Sequence, residues 1–351
     1  MRTRTPGRSA AIPLIVTAMI MRIYWGLSLD FPYPFNAVWL CPIVGLIIYL
    51  PFAFALRQVA ALGNSSPWEN LSRRAPGPVM CVAAAGFALL LVYDAASAVH
   101  LMALSSNVLA LNDVSPPLLI LPLALVILCV VKLGADAMGN SARLWLRGLL
   151  VFIIVILIVQ FKNYRIGWIT PILGGGTASI LSGGVYCAGC MALLSLPWFI
   201  ALPDRHHGGL LPCVAVSAVA AALLMFTQQL LIPVMMGTPL NTAARIDLIL
   251  NNGRMTLSPQ IIVDVLWFGN MLYLISAESV AAAEYVRMIL PKAPILPLAA
   301  LTALAVGAAA TQNAAWLGAN AAVMCNLFAI IGAVFALMLL IAIFRRRGEG
   351  A

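Results

Sequence analysis

Charge is what this sequence has least of. Asp, Glu, Lys and Arg together make up 9% of its 351 residues, against roughly 25% in an ordinary soluble domain. A chain with so little charge cannot cover a water-facing surface. Catalytic and nucleotide motifs are missing as well. There is no G-x-x-x-x-G-K-[ST] phosphate loop, which argues against ATP-driven transport by this chain alone. Gly-x-Ser-x-Gly and His-Glu-x-x-His do not occur, and no Ser/His/Asp set falls at one depth, so no catalytic residue and no enzyme activity are expected. The seven cysteines (Cys41, Cys81, Cys129, Cys187, Cys190, Cys213 and Cys325) are odd in number and sit almost entirely inside apolar runs, which is no disulfide framework. Cys187-x-x-Cys190 has redox or zinc spacing, but no second pair and no nearby His or acid accompanies it in its own span. No metal and no cofactor are expected, and no soluble domain is expected at either end.

Apolar residues are what the sequence does have. They make up 63% of the chain and mean hydropathy is +1.03, the composition of a polytopic membrane protein. The net charge of +9 could suggest nucleic acid. The basic residues, however, stand singly or in short groups at the ends of apolar runs, where membrane topology explains them.

A membrane span needs about 20 apolar residues, and on that rule the chain divides into about ten. They are expected at 11–29, 35–56, 79–111, 116–132, 144–161, 168–200, 210–235, 259–289, 294–310 and 320–344. The basic N-terminal flank resembles that of a signal peptide, but the apolar run continues through Arg22 to Leu29 without a small-residue cleavage site, so a retained first span is expected. Alternate connections carry Arg2, Arg4, Arg8; Arg57, Arg73, Arg74; Lys132, Arg143, Arg147; Arg205; Arg287, Lys292; and Arg345, Arg346, Arg347. The other set holds only Lys162, Arg165, Arg245 and Arg254. That bias places both termini in the cytoplasm.

Ten spans with both ends inside divide into two halves of five with opposite orientation, about 11–162 and 168–344, in one transmembrane domain. The first and sixth spans are then counterparts, and both are unusual. The sixth, WITPILGGGTASILSGGVYCAGCMALLSLPWFI, carries Gly174, Gly175, Gly176, Gly183, Gly184 and Gly189, each costing about 1 kcal/mol of helix propensity relative to Ala. The first carries Arg22, Tyr24 and Gly26 within MRIYWGLS. Interrupted helices in corresponding positions point to a midplane binding site in an inverted repeat. Glycines also let helices pack closely, and both readings stand for Gly183, Gly184 and Gly189, with Tyr186 between them.

A charge at the bilayer centre costs about 2.5 to 3.5 kcal/mol on insertion scales, so each one needs a reason. Arg22 lies past the middle of the first span, Asp94 near the middle of the third, and Glu278 in the inner half of the eighth. Arg22 and Asp94 fall at similar depths. They are expected either to line a polar cavity, with Arg22 holding a carboxylate and Asp94 an amine or a proton, or to form a structural pair. Glu278 is either a protonatable coupling group or a side chain reaching the interface. Ser97 and His100 lie outward of Asp94 on roughly its face, with His100 a proton relay or a hydrogen-bonded filler. Asn270 is a candidate for bonding across helices.

The ten-span plan and the segment KNYRIGWITPILGGGTASILSGG resemble the spore-germination permease family, the B subunits of nutrient germinant receptors. The connection GTPLNTAARIDLILNNGRMTLSPQIIVDVLWFGN is similar to that family's long outer loop. Pro171 with its following glycines and Arg254 to Trp267 carry the resemblance best. It implies the amino acid, polyamine and organocation transporter superfamily and an all-α, LeuT-like fold with a 5+5 inverted repeat. It also implies a nutrient-sensing subunit in the bacterial cytoplasmic membrane, or in the spore inner membrane. Such a subunit would bind a small polar ligand such as an amino acid, among membrane lipid, beside a large membrane subunit and a lipoprotein. No nucleic acid partner is implied. A self-sufficient proton- or cation-coupled amino acid transporter is the alternative. The sixth span here has no acidic residue and the first no Gly-rich break, so Arg22, Asp94 and Glu278 rest on the burial argument.

Overall fold

The structure is a computed structural model that describes residues 8–29, 35–60, 66–73, 76–109, 116–159, 161, 164–170, 176–201, 210–231, 260–310, 326–327 and 329–338. All regular structure among them is helical. The bilayer allows little else, because an α-helix satisfies its backbone donors and acceptors internally where no water can. In chain order the helices are α1 (Arg8–Leu29), α2 (Cys41–Ala60), α3 (Pro67–Ser72), α4 (Gly77–Leu109), α5 (Pro116–Leu133), α6 (Ala135–Val159), α7 (Gly176–Ala201), α8 (Leu210–Leu231), α9 (Gln260–Ile289), α10 (Ile295–Ala310) and α11 (Ala329–Met338). Each of the ten expected spans overlaps one of them, and the short α3 is additional. Among the described residues, Asn36–Val59, Gly77–His100, Gly176–Pro197 and Leu210–Thr227 are long and apolar enough to cross a membrane by length and composition alone.

The sixth span's helix opens later than expected, at Gly176, and the fifth opens earlier. The fifth span was expected to open at Leu144, but α6 starts at Ala135. Only Gly134 separates it from α5, at φ +81°, where a side chain would be strained, and the two helices are bent by 111° there. The polar opening ADAMGNSAR fails an apolarity count. It is helical because tertiary contacts hold it: Met138 packs on the core and Ser141 shares a 2.7 Å hydrogen bond with Tyr273 on α9.

Two helices sit at the centre. α1 packs against α6, α7, α8 and α9, and its residues from Leu14 to Ile23 are buried. α7 packs against α1, α2 and α9. Around them, Leu121 and Leu125 of α5, Ile154 and Ile158 of α6, Val216 and Leu223 of α8, and Leu301 and Leu304 of α10 point outward, the surface that a bilayer covers. Part of the packing has the form expected of two inverted halves. Exchanging α1 with α7 and α2 with α8 turns the contact of α1 with α8 into that of α7 with α2. The contacts of α4 with α9 and of α5 with α10 map onto themselves.

Candidate functional site

Where α1, α4, α7 and α9 meet, the three intramembrane charges come together. Arg22 on α1 and Asp94 on α4 are both fully buried. They form a two-pronged pair: Arg22 Nε donates to Asp94 Oδ2 at 2.9 Å, and Nη2 lies 2.8 Å from Oδ1. This fork geometry is the strong form of a guanidinium–carboxylate contact. Nη1 turns the other way and donates to the Tyr186 hydroxyl on α7 at 3.3 Å. The indole of Trp25, one helical turn along α1, lies under the guanidinium at 4.5 Å from its ring centre, a cation–π contact worth more when desolvated.

Glu278 completes the cluster from α9. It is fully buried and faces Asp94, Arg22 and Cys190. Neither of its carboxyl oxygens makes a hydrogen bond of ordinary geometry among the described residues. Two carboxyl groups thus share one guanidinium. With both ionised, the cluster would leave an uncompensated anion in a low-dielectric interior, an arrangement that proteins avoid by protonation or by pairing with a cation.

The glycines serve approach. At Gly26 an added Cβ would overlap the Tyr186 hydroxyl, so only glycine lets Tyr186 reach Arg22. At Gly184 a Cβ would lie 2.5 Å from Val44 Cγ1, and at Gly45 one would lie 2.5 Å from Cys187 Cβ; these positions seat α2 directly on α7. α7 is continuous helix from Gly176 through Ala201. Gly183, Gly184 and Gly189 are therefore helical and buried, and Gly184 packs directly against α2. The Gly174 and Gly175 positions lie outside the described residues.

The other candidates are placed as follows. Tyr24 is half-buried, next to the core. Ser97 spends its hydroxyl on the Tyr93 carbonyl of its own helix at 3.0 Å. His100 Nδ1 donates to the Ala310 carbonyl at the end of α10 at 2.6 Å, while its Nε2 has no partner among the described residues. Asn270 accepts from Trp145 Nε1 of α6 at 3.0 Å, bonding across helices as expected. Trp25, Cys190 and Trp145 were not picked out as site residues. The spacing of Trp25, three residues after Arg22, was the available signal for the first; the other two are placed only by packing.

No family model matches this chain, and no curated protein matches it. Among solved structures, it is similar to a nucleobase-cation-symport-1 family transporter in a closed conformation with bromovinylhydantoin bound. The TM-score is 0.65 at 14% identity, over 95% of this chain and 80% of that one. This likeness shows the fold. The chain is a multi-pass membrane protein with the LeuT-like fold of solute transporters. A Na+-coupled sialic acid symporter in a substrate-bound outward-open state is also similar, with TM-score 0.48 and 18% identity over 93% of this chain and 78% of that one.

Proposed function

We propose that this protein is a membrane-embedded subunit that binds a small polar metabolite, an amino acid or similar, at the bilayer midplane and signals nutrient availability as the B-type subunit of a spore germinant receptor. The observation that carries ligand binding is the buried cluster of Arg22, Asp94 and Glu278 at the junction of four helices in a solute-transporter fold. Intramembrane ionisable residues are costly and concentrate on binding sites and ion paths. Tyr186 and Gly26 lie at the cluster, and Tyr24, Ser97, Asn270, Gly183, Gly184 and Gly189 are proposed as further parts of the site. The receptor role rests on the sequence resemblance around Pro171 and from Arg254 to Trp267. The repeats run over about 11–162 and 168–344, and the partners are a large membrane subunit and a lipoprotein.

The fully buried carboxyl of Glu278, beside Asp94 and with no counter-charge of its own beyond the shared Arg22, favours a second reading, a proton- or cation-coupled amino acid transporter with Asp94, Glu278 and His100 on the proton path. Purified protein in liposomes separates the two: uptake of labelled amino acids supports the transporter, and saturable binding without uptake supports the sensor. Under the transporter reading, Glu278→Gln should accumulate at the wild-type level, because the amide keeps the shape and needs no counter-charge. Its proton movement on substrate addition, followed with a pH dye, should fall to background. Unchanged proton movement in that variant would remove Glu278 from the path.

Orientation follows from the Lys/Arg bias. A cysteine at Arg73, an exposed residue, should react with an impermeant reagent from the cytoplasmic side, and one at Asn252 from the other. Labelling of both from one side would sink the ten-span topology.

A further inference from the structure

We propose that α3 is a gate on the basic face of the molecule, the face bearing Arg57 and Arg73, and that Trp68 is the residue holding it shut. The element is short but well made. Ser66 caps it, its Oγ accepting from the Glu69 N–H at 3.2 Å, and Pro67 occupies the first turn, where its missing N–H costs nothing. Glu69, Ser72 and Arg73 face outward, while Pro67, Trp68, Asn70 and Leu71 are buried. Asn70 Nδ2 donates to the Val59 carbonyl near the end of α2 at 3.5 Å, fastening the element to that helix.

The Trp68 indole makes edge-to-face contacts with three rings on three different helices: Phe87 of α4 at 6.3 Å, Phe199 of α7 at 5.8 Å and Tyr285 of α9 at 5.2 Å. Such contacts stabilise the ring cluster beyond the area they bury. These helices also carry the charge cluster. Phe87 is seven residues from Asp94, Tyr285 seven from Glu278, and Phe199 nine from Cys190. At 1.5 Å per residue, the aromatic layer sits about 10 to 14 Å from the cluster on all three helices. Any route from the cluster to the basic face between α4, α7 and α9 would pass their junction, which one side chain belonging to none of them fills. The Tyr285 hydroxyl donates to the Leu196 carbonyl at 3.0 Å, tying α9 to α7 in the same layer. Beside it lies a small apolar void lined by Phe52, Phe87, Phe199 and Phe335, among others.

Cys190, fully buried and facing Glu278, is a native reporter of access to the cluster. The proposal gives the cluster's reading a route to one face, but the test needs no ligand, so its outcome is independent of whether the cluster binds one. A small impermeant methanethiosulfonate is applied to the basic face of membrane vesicles holding the full chain, and labelling is read by peptide mass. In the wild type Cys190 should stay at background. In Trp68→Ala it should react at a rate comparable with a cysteine at Arg73, and in Trp68→Phe, which keeps a ring in place, it should return to background. Cys190→Ser in the Trp68→Ala background should remove the signal. Cys41, buried on α2, reports general loosening. The gate is overturned if Cys190 stays unreactive in a Trp68→Ala protein that accumulates normally, or if Cys41 labels in step with it.

Discussion

Asp94→Asn is expected to deplete the protein from the membrane, and Arg22→Met combined with Asp94→Asn is expected to restore it. The single change leaves a fully buried guanidinium whose two short contacts to carboxylate oxygens are replaced by a neutral amide. Glu278 is close enough to take up part of the lost charge, but it has no matching fork to Arg22. Breaking a buried pair typically costs about 3 to 5 kcal/mol, whereas exchanging both members for well-packed neutral groups is often near neutral. Against a total stability of roughly 5 to 15 kcal/mol, the single mutant should be the most damaging polar change in the chain. Membrane protein level and thermal stability in detergent measure this. Recovery of level without recovery of ligand response assigns the pair to binding as well as to structure; recovery of both leaves it structural. A double mutant as depleted as the sum of the two singles would mean that the residues do not interact.

The second large effect concerns close approach. Gly184→Leu should lower accumulation and ligand response together, because a Cβ at this position already lies 2.5 Å from Val44 Cγ1 and 3.0 Å from Val44 Cβ. A branched side chain would push α7 off α2 along their main contact. Overpacking typically costs about 1 to 3 kcal/mol, and a leucine where not even a methyl fits belongs at or above the top of that range. Gly86→Leu is the control, since nothing lies within 4 Å of a Cβ there, and it should accumulate normally. Gly184→Ala should be impaired and should recover when combined with Val44→Ala, which removes the obstructing methyls. A Gly184→Leu protein that accumulates fully but no longer responds to ligand would point instead to a backbone that opens around a ligand.

Gly26 makes the same argument at the cluster itself. Its missing Cβ leaves the room in which the Tyr186 hydroxyl sits, and that hydroxyl accepts the third arm of Arg22. The glycine spacing in the sixth span marks the helix that packs on α1 and α2. Propensity alone could not separate a glycine that breaks a helix from one that admits a neighbour, because both cost the isolated helix the same. The neighbour decides, and here the neighbours are Val44 and Cys187 across the junction of α2 and α7.

What the sequence determined by itself was whatever the bilayer prices residue by residue. Ten apolar stretches had to be helices, since nothing else satisfies a backbone in hydrocarbon. Arg22, Asp94 and Glu278 stood out because each is expensive where it sits, and the pairing of the first two followed from matching depth. The tertiary structure decided what depends on which faces meet. Arg22 lies 72 residues from Asp94 and 164 from Tyr186, and no local preference encodes the rotation of four helices that points these groups at one another. The same holds for Glu278 joining them, for Asn270 bonding to Trp145, and for Trp68, which composition places in an ordinary polar loop. Its burial among the rings of α4, α7 and α9 arises only when those helices converge, because a contact between distant residues is set by packing and leaves no mark on the segment that carries it.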